Sequence, residues 1–311
     1  MEKIPPTIQF IEAKDLRWIN VSRVTSEEMD WLKEKFHFHQ LHLDDCLSPY
    51  QRPKLDVHPD YLFMVLIFPI YKRKTREIAS SEVDFFIGSN FLVTVHRNEL
   101  APLINFFNAC QLSKTKQEKY FTGNPSAVLY ELLNQLLSSC KPILESNSYS
   151  INDIEESIFR GYERRMVREI LIVKRNIINF RRIIQVHRSV LAKLIEKSEQ
   201  FFSAGQLKLY FKELIETTGD IWETLDTLHQ SINSIEATNN SLISFRLNDI
   251  MKLLAIASVC FLPVTLIASL YNMRVPNLPL ERYPLAFPVL LILMGILVAT
   301  LFLIFRKKRW L

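Results

Sequence analysis

At 311 residues, 48% of them hydrophobic and with a formal net charge of +5, the chain can bury a substantial core and carries little excess charge for binding a polyanion. Its four cysteines, Cys46, Cys110, Cys140 and Cys260, stand far apart with no C-x-x-C pair, which argues against a disulfide framework and a thiolate metal site. There is no nucleotide loop, no nucleophile beside a base and no Gly-rich phosphate cradle, so neither an enzyme nor an active pump is expected.

The first residues, MEKIPPTIQF, lack the charged, apolar and small-residue succession of a secretory signal, so the N-terminal part is expected in the cytoplasm. Residues 1–125 are expected to form an α/β part. Thr25 with Glu28 resembles a capping box that opens a helix through Trp31 and Phe36. The apolar run 61–71 and the alternating stretches 82–87 and 91–95 are strand signals, with Gly88, Ser89 and Asn90 as the turn between the last two. Residues 126–204 are expected to be cytoplasmic helices. There Gly and Pro become rare and apolar residues recur every three or four positions, as in Ile170, Val173, Ile177, Phe180 and Ile184. The interleaved arginines, among them Arg164, Arg165, Arg168, Arg175 and Arg182, read as a solvated helix face. No nucleic-acid motif accompanies them, and no nucleic-acid partner is expected.

A long stalk helix is expected over 205–252. Ile221, Leu225, Leu228, Ile232 and Ile235, followed by Asn239 and Leu242, alternate by four and three, the spacing of a coiled-coil seam. Such a seam is expected to face copies of itself in an oligomer. Two uncharged stretches follow, 253–273 and 283–305, each near the ~20 residues that cross a bilayer. The loop 274–282 leaves no room for a folded domain, so the spans form a hairpin. The basic tail 306–311, with Arg306, Lys307, Lys308 and Arg309, places both chain ends on the cytoplasmic side.

Within the first span, Asn248, Met251, Ala255, Ser258, Leu262, Thr265, Ser269 and Asn272 alternate by three and four. Polar groups facing lipid tails are costly, so this stripe is expected to face neighbouring helices or water. Taken as a continuation of the seam, it suits a gated pore: oxygens to support hydration water, and Met251 and Leu262 as apolar rings that exclude it.

Asn248-Asp249-Ile250-Met251-Lys252, Phe261-Leu262-Pro263-Val264-Thr265-Leu266-Ile267-Ala268, Tyr271 and the closing Lys307-Lys308-Arg309-Trp310-Leu311 resemble the membrane portion of the CorA magnesium-transport family. Leu43-Asp44-Asp45, Gln51-Arg52-Pro53-Lys54 and the strands to Val95 are similar to its cytoplasmic domain. The resemblance implies an α+β cytoplasmic domain with long helices and two transmembrane helices, assembled as a funnel-shaped homopentamer in a bacterial-type inner membrane. The implied substrate is a hydrated divalent cation, magnesium first, with zinc or cobalt as alternatives. A proton-coupled or anion pathway, or a non-conducting scaffold, remains open beside it.

The outer mouth departs from the family. Where members carry Tyr-Gly-Met-Asn, this chain reads Tyr271-Asn272-Met273-Arg274, and its loop offers Glu281 against Arg274 and Arg282. The resemblance also implies regulatory ions held between subunits, for which Asp84 and Glu213 are the nearest matches, with Glu82 and Glu216 beside them. His37, His39, His42, Asp44 and Asp45 form the densest group of ligand-type side chains, and a structural role is expected for them.

Overall fold

The computed structural model describes residues 4–48, 51–199, 201, 207–273 and 286–308, and its contacts divide the chain into two units, Met1–Glu236 and Ala237–Leu311. In the first unit a six-stranded sheet has the order β1-β2-β6-β5-β4-β3. The strands are β1 (Ile8–Ala13), β2 (Leu16–Val21), β3 (Lys54–Val57), β4 (Leu62–Lys72), β5 (Glu77–Ile87) and β6 (Phe91–His96). All neighbours are antiparallel except β2 and β6. The strand signals read from the sequence fall on β4, β5 and β6, and the Gly88 N–H donates to the Phe91 carbonyl across the expected turn (3.0 Å). A Cβ on Gly88 would overlap the Phe91 ring, so a larger residue there would have to displace that ring. The β1–β2 hairpin turns on Lys14 and Asp15, both with positive φ, as a two-residue primed turn demands.

One sheet face is covered by α1 (Ser26–Phe36) and α2 (Gln40–Leu47). Ile19, Val21, Phe63, Val65, Phe86, Val93 and Val95 pack there against Met29, Leu32, Leu43 and Cys46. The Thr25–Glu28 box caps α1: the Glu28 carboxylate accepts from the Thr25 N–H (3.1 Å) and from the Thr7 and Thr25 hydroxyls.

The opposite face meets α3 (Ala101–Leu112), α7 (Glu163–Ile184) and α8 (His187–Ser198), with α4 (Lys114–Tyr120), α5 (Ser126–Ser138) and α6 (Cys140–Phe159) between them in sequence. Trp18 packs its ring on Phe106 and Phe107 of α3, and Asn176 of α7 accepts from the Ile78 N–H (3.0 Å). Trp18, Asn20, Thr94 and His96 form a buried polar chain across the parallel β2–β6 pair. The His96 Nδ1 accepts from the Asn98 N–H (3.0 Å), so Nε2–H donates to Asn20 Oδ1 (3.0 Å) and the ring is neutral.

Two long helices complete the chain: α9 (Leu207–Asn272), which runs through the division between the units, and α10 (Ala286–Lys307).

Candidate functional site

Within the first unit α9 packs on the helical layer. Tyr130 of α5 meets the Tyr210 and Phe211 rings, Lys174 of α7 bridges Glu236 (2.5 Å), and Arg181 bridges Asp226 (2.9 Å) while lying over the Trp222 ring. The seam residues Ile221, Leu225, Leu228, Ile232 and Ile235 are buried in the single chain. This corrects the expectation that the seam faces other copies: its apolar stripe is already covered by the chain's own helices.

The membrane stripe occupies a different face. Leu242 to Asn248 is a step of six residues, whereas continued alternation by four and three needs seven. At 100° per residue that turns the stripe ~100° round the helix. The seam's in-phase continuation runs instead through Arg246, Asp249 and Leu253, which are exposed, to Ile256, which is buried, and Cys260, Pro263 and Ile267, which are half-buried. On α10, Leu290, Met294, Leu297, Leu301 and Phe305 are half-buried at the same three–four spacing. The continuity inferred from the sequence is therefore broken, yet Asn248, Met251, Ala255, Ser258, Leu262, Thr265, Ser269 and Asn272 are all exposed on the single chain.

That exposed stripe has a defined chemistry. Ser258 Oγ donates to the Leu254 carbonyl and Thr265 Oγ1 to the Phe261 carbonyl, both at 2.9 Å. A hydroxyl whose proton is held by the helix turns its oxygen lone pairs outward as acceptors. Acceptors of this kind suit the water shell of a hard cation, which magnesium gives up reluctantly. Met251 and Leu262, 64% and 67% exposed, are the bulky apolar members of the same face. Pro263 lacks the N–H that would bond the Val259 carbonyl, leaving a further backbone acceptor in the span.

Both apolar helices are long enough to cross a bilayer. The CorA-like Mg2+ transporter family model matches residues 13–307, nearly the whole chain. The chain belongs to the CorA-like Mg2+ transporter family. It is 26% identical over 314 residues to the cobalt/magnesium transport protein CorA of Thermotoga maritima, a match covering 99% of this chain and 87% of that protein. It is 27% identical to the putative metal ion transporter YfjQ of Bacillus subtilis, covering 100% of this chain and 94% of that protein. The complete structure of the CorA magnesium transporter from Methanocaldococcus jannaschii shares the fold, with a TM-score of 0.85 and 22% identity over 100% of this chain and 95% of that one. The family fold is thus an α+β domain, a long helix and two C-terminal apolar helices, and it is a transporter fold with no enzymatic role.

Of the outer-mouth residues, Asn272 ends α9 and both it and Met273 are exposed. The Tyr271 side chain, Arg274, Glu281 and Arg282 lie outside the described residues. Asp84 and Glu213, the family-derived candidates for a regulatory ion, have separate surroundings. Asp84 sits on β5 opposite Val65 and Val95, on the α1–α2 face beside Cys46, and is only 2% exposed with Oδ1 unpartnered. Burial first, and Glu82 second, push its carboxyl well above the usual range. Glu213 is exposed on α9 near Tyr130. A divalent ion at Asp84 would need that carboxyl both ionised and reached from solvent. Glu82 accepts from the Gln51 N–H (3.2 Å), and Glu216 is exposed.

The side chains of the histidine-rich segment are engaged within the first unit. His42 Nδ1 meets the Tyr61 hydroxyl (2.9 Å) and its ring stacks on Phe63. His39 Nδ1 accepts from the Leu41 N–H (3.2 Å) to cap α2. Asp45 pairs with Lys54 (2.7 Å), Asp44 accepts from Gln40 (2.9 Å), and His37 closes α1 in the left-handed region. Among the described residues no group of three or more such side chains converges on a metal position.

Proposed function

We propose that the chain assembles as a homopentamer in a bacterial-type inner membrane, with both termini cytoplasmic, and passes hydrated divalent cations down their gradient along the Asn248–Asn272 face of α9. The observation that carries this reading is the face itself. It carries the polar side chains of an otherwise apolar span, it is exposed on the single chain, and the Ser258 and Thr265 protons are committed to the helix while their oxygens remain as acceptors. Five such faces round an axis would offer stacked rings of acceptors, interrupted by Met251 and Leu262 as apolar gates. Magnesium is the first substrate, consistent with family membership, with cobalt and zinc next.

A second reading is favoured by Asn272 and Arg274, which replace the glycine and asparagine of the family's mouth: the pathway is retained but selects a different ion. Purified protein in liposomes, with magnesium, zinc, cobalt and chloride flux compared side by side and native mass spectrometry on the same preparation, tests both. A pentamer conducting divalent cations in preference to chloride is the expected result. A monomer or dimer, or a pentamer conducting nothing, makes the chain a non-conducting scaffold instead.

A further inference from the structure

The turn between α6 and α7 combines two features that a solvated helix face does not need. Phe159 and Tyr162 flank it at 69% and 54% exposure, with Val167 at 40% one turn on. Around them stand Arg160, Arg164, Arg165 and Arg168, all exposed, so residues 159–168 hold four arginines against one glutamate. Arg160 is engaged with Glu156 of its own helix, which leaves the arginines at the start of α7 as the tip's outward charge. Gly161, with φ +97°, makes the reversal that puts both aromatic rings at the tip.

The direction of the tip follows from packing inside the first unit. Lys174 meets Glu236, Arg181 meets Asp226, and Ile184 and Arg188 line a cleft with Thr218 and Trp222. Rising numbers on α7 thus meet falling numbers on α9, and the two helices are antiparallel. The eleven residues of α7 before Lys174 extend ~16 Å in the direction α9 takes as it leaves this unit. The apolar stretch of α9 begins at Leu253, seventeen residues after Glu236.

We propose that the α6–α7 tip is a membrane-surface anchor, with Phe159 and Tyr162 lying in the headgroup layer and Arg164, Arg165 and Arg168 pairing with anionic lipid phosphates. Amphipathic rings beside guanidinium groups suit that layer: the rings leave water without losing a polar tip, and arginine matches phosphate geometry. The charge complementarity is with the surface of the bilayer that the same chain crosses, so the anchor needs no second macromolecule. It would tie the α7–α9 pair to the lipid surface, making the cytoplasmic helices sensitive to its charge. The inference rests on the reading that α9 enters the membrane near Leu253.

The test uses the full chain in vesicles of brominated phosphatidylcholine, with and without phosphatidylglycerol, read by quenching of an added tryptophan over the parent protein. Tyr162→Trp is the probe, Phe287→Trp on α10 the membrane control, and Leu112→Trp, at 87% exposure on α3, the aqueous control. The added tryptophan of Tyr162→Trp is expected to be quenched at least about twofold more than that of Leu112→Trp, and more with the anionic lipid than without. Adding Arg164→Glu, Arg165→Glu and Arg168→Glu should bring it to the aqueous level while Phe287→Trp stays quenched. Quenching no greater than Leu112→Trp, with Phe287→Trp quenched, overturns the anchor alone. Shielding from aqueous acrylamide without bromolipid quenching also overturns it, by making the tip a protein interface. An unquenched Phe287→Trp would overturn the membrane reading itself. Should the variants fail to fold, amide exchange over 159–168 in the unaltered protein must be slower with phosphatidylglycerol than without, and equal rates would overturn the proposal.

Discussion

Two fully buried histidines, His96 and His187, show how differently the same residue type is accommodated on one face of the sheet. His96 has a partner on each nitrogen, the Asn98 N–H and Asn20 Oδ1. His187, at the start of α8 with its ring edge-on to Phe68 (5.2 Å), has a hydrogen-bond partner on neither. Burial holds both pKa values down to about 4, and for His187 the nearby Ile183, Ile67 and Ile184 backbone only weakens that effect. A pKa lowered by folding means the unfolded chain takes up the proton first. The stabilisation is whole above pH ~6.5 and is lost as pH falls from there toward 4. His187→Leu removes one of the two contributions and takes a buried polar ring out of its contact with Phe68. The variant in detergent should melt higher than the parent at pH 7, and its loss of thermal midpoint between pH 6.5 and 4.5 should be visibly shallower. An identical pH slope would show that His187 titrates normally. By the same reasoning His96→Leu should destabilise, because it removes the Nε2–H bond to the buried Asn20, whose Oδ1 then keeps only the Thr94 hydroxyl.

Elements were legible in the sequence where one pattern had one cause. The β4, β5 and β6 signals, the Thr25–Glu28 cap and the two apolar helices all follow from local chemistry; the strands and the cap lie where their residues indicated, and α10 takes in 286–305 of the second expected span, whose first three residues, 283–285, lie outside the described residues. The β1–β2 hairpin was not distinguished, because its turn residues Lys14 and Asp15 carry no Asn-Gly or Asp-Gly signature. The α9 seam was legible as a stripe but not as to partner: periodicity reveals that a face is buried, never whether its own chain or another covers it. Joining the seam to the membrane stripe overlooked a six-residue step, since two heptads out of phase look alike one residue at a time. The exposed face it led to still isolates Met251 and Leu262 as the only large apolar members among Asn, Ser, Thr and Ala. An apolar ring closes a pore by expelling water, so Met251→Ser or Leu262→Ser should wet the constriction and raise resting ion leak from liposomes several-fold. Unchanged leak in both variants, with assembly intact, would move the gate elsewhere on the helix.

At the scale of the whole assembly, a residue at the mouth acts through every copy at once. In the proposed pentamer five Arg274 guanidinium groups ~8 Å from a divalent ion, in water-like dielectric, would repel it by about 5 kcal/mol, which screening over a similar Debye length reduces to ~2. That is roughly a 30-fold fall in occupancy, a hindrance and not a barrier. The loop adds Glu281 against Arg274 and Arg282, so it does little to concentrate cations in compensation. Asn272 is exposed at the end of α9, and in the proposed pentamer it would supply an alternative ring of amide oxygens. Arg274→Gln alone should therefore raise the flux of every cation, and the gain should shrink toward 1 M salt, where the Debye length is ~3 Å. Asn272→Gly with Arg274→Asn would write into this chain the mouth motif that the resemblance implies. It should raise magnesium flux further and introduce block by hexammine mimics of hydrated magnesium, measured in the same liposomes. Loss of all flux in Arg274→Gln would mean that the guanidinium holds the mouth together or couples the ion, and the repulsion account would fall with it.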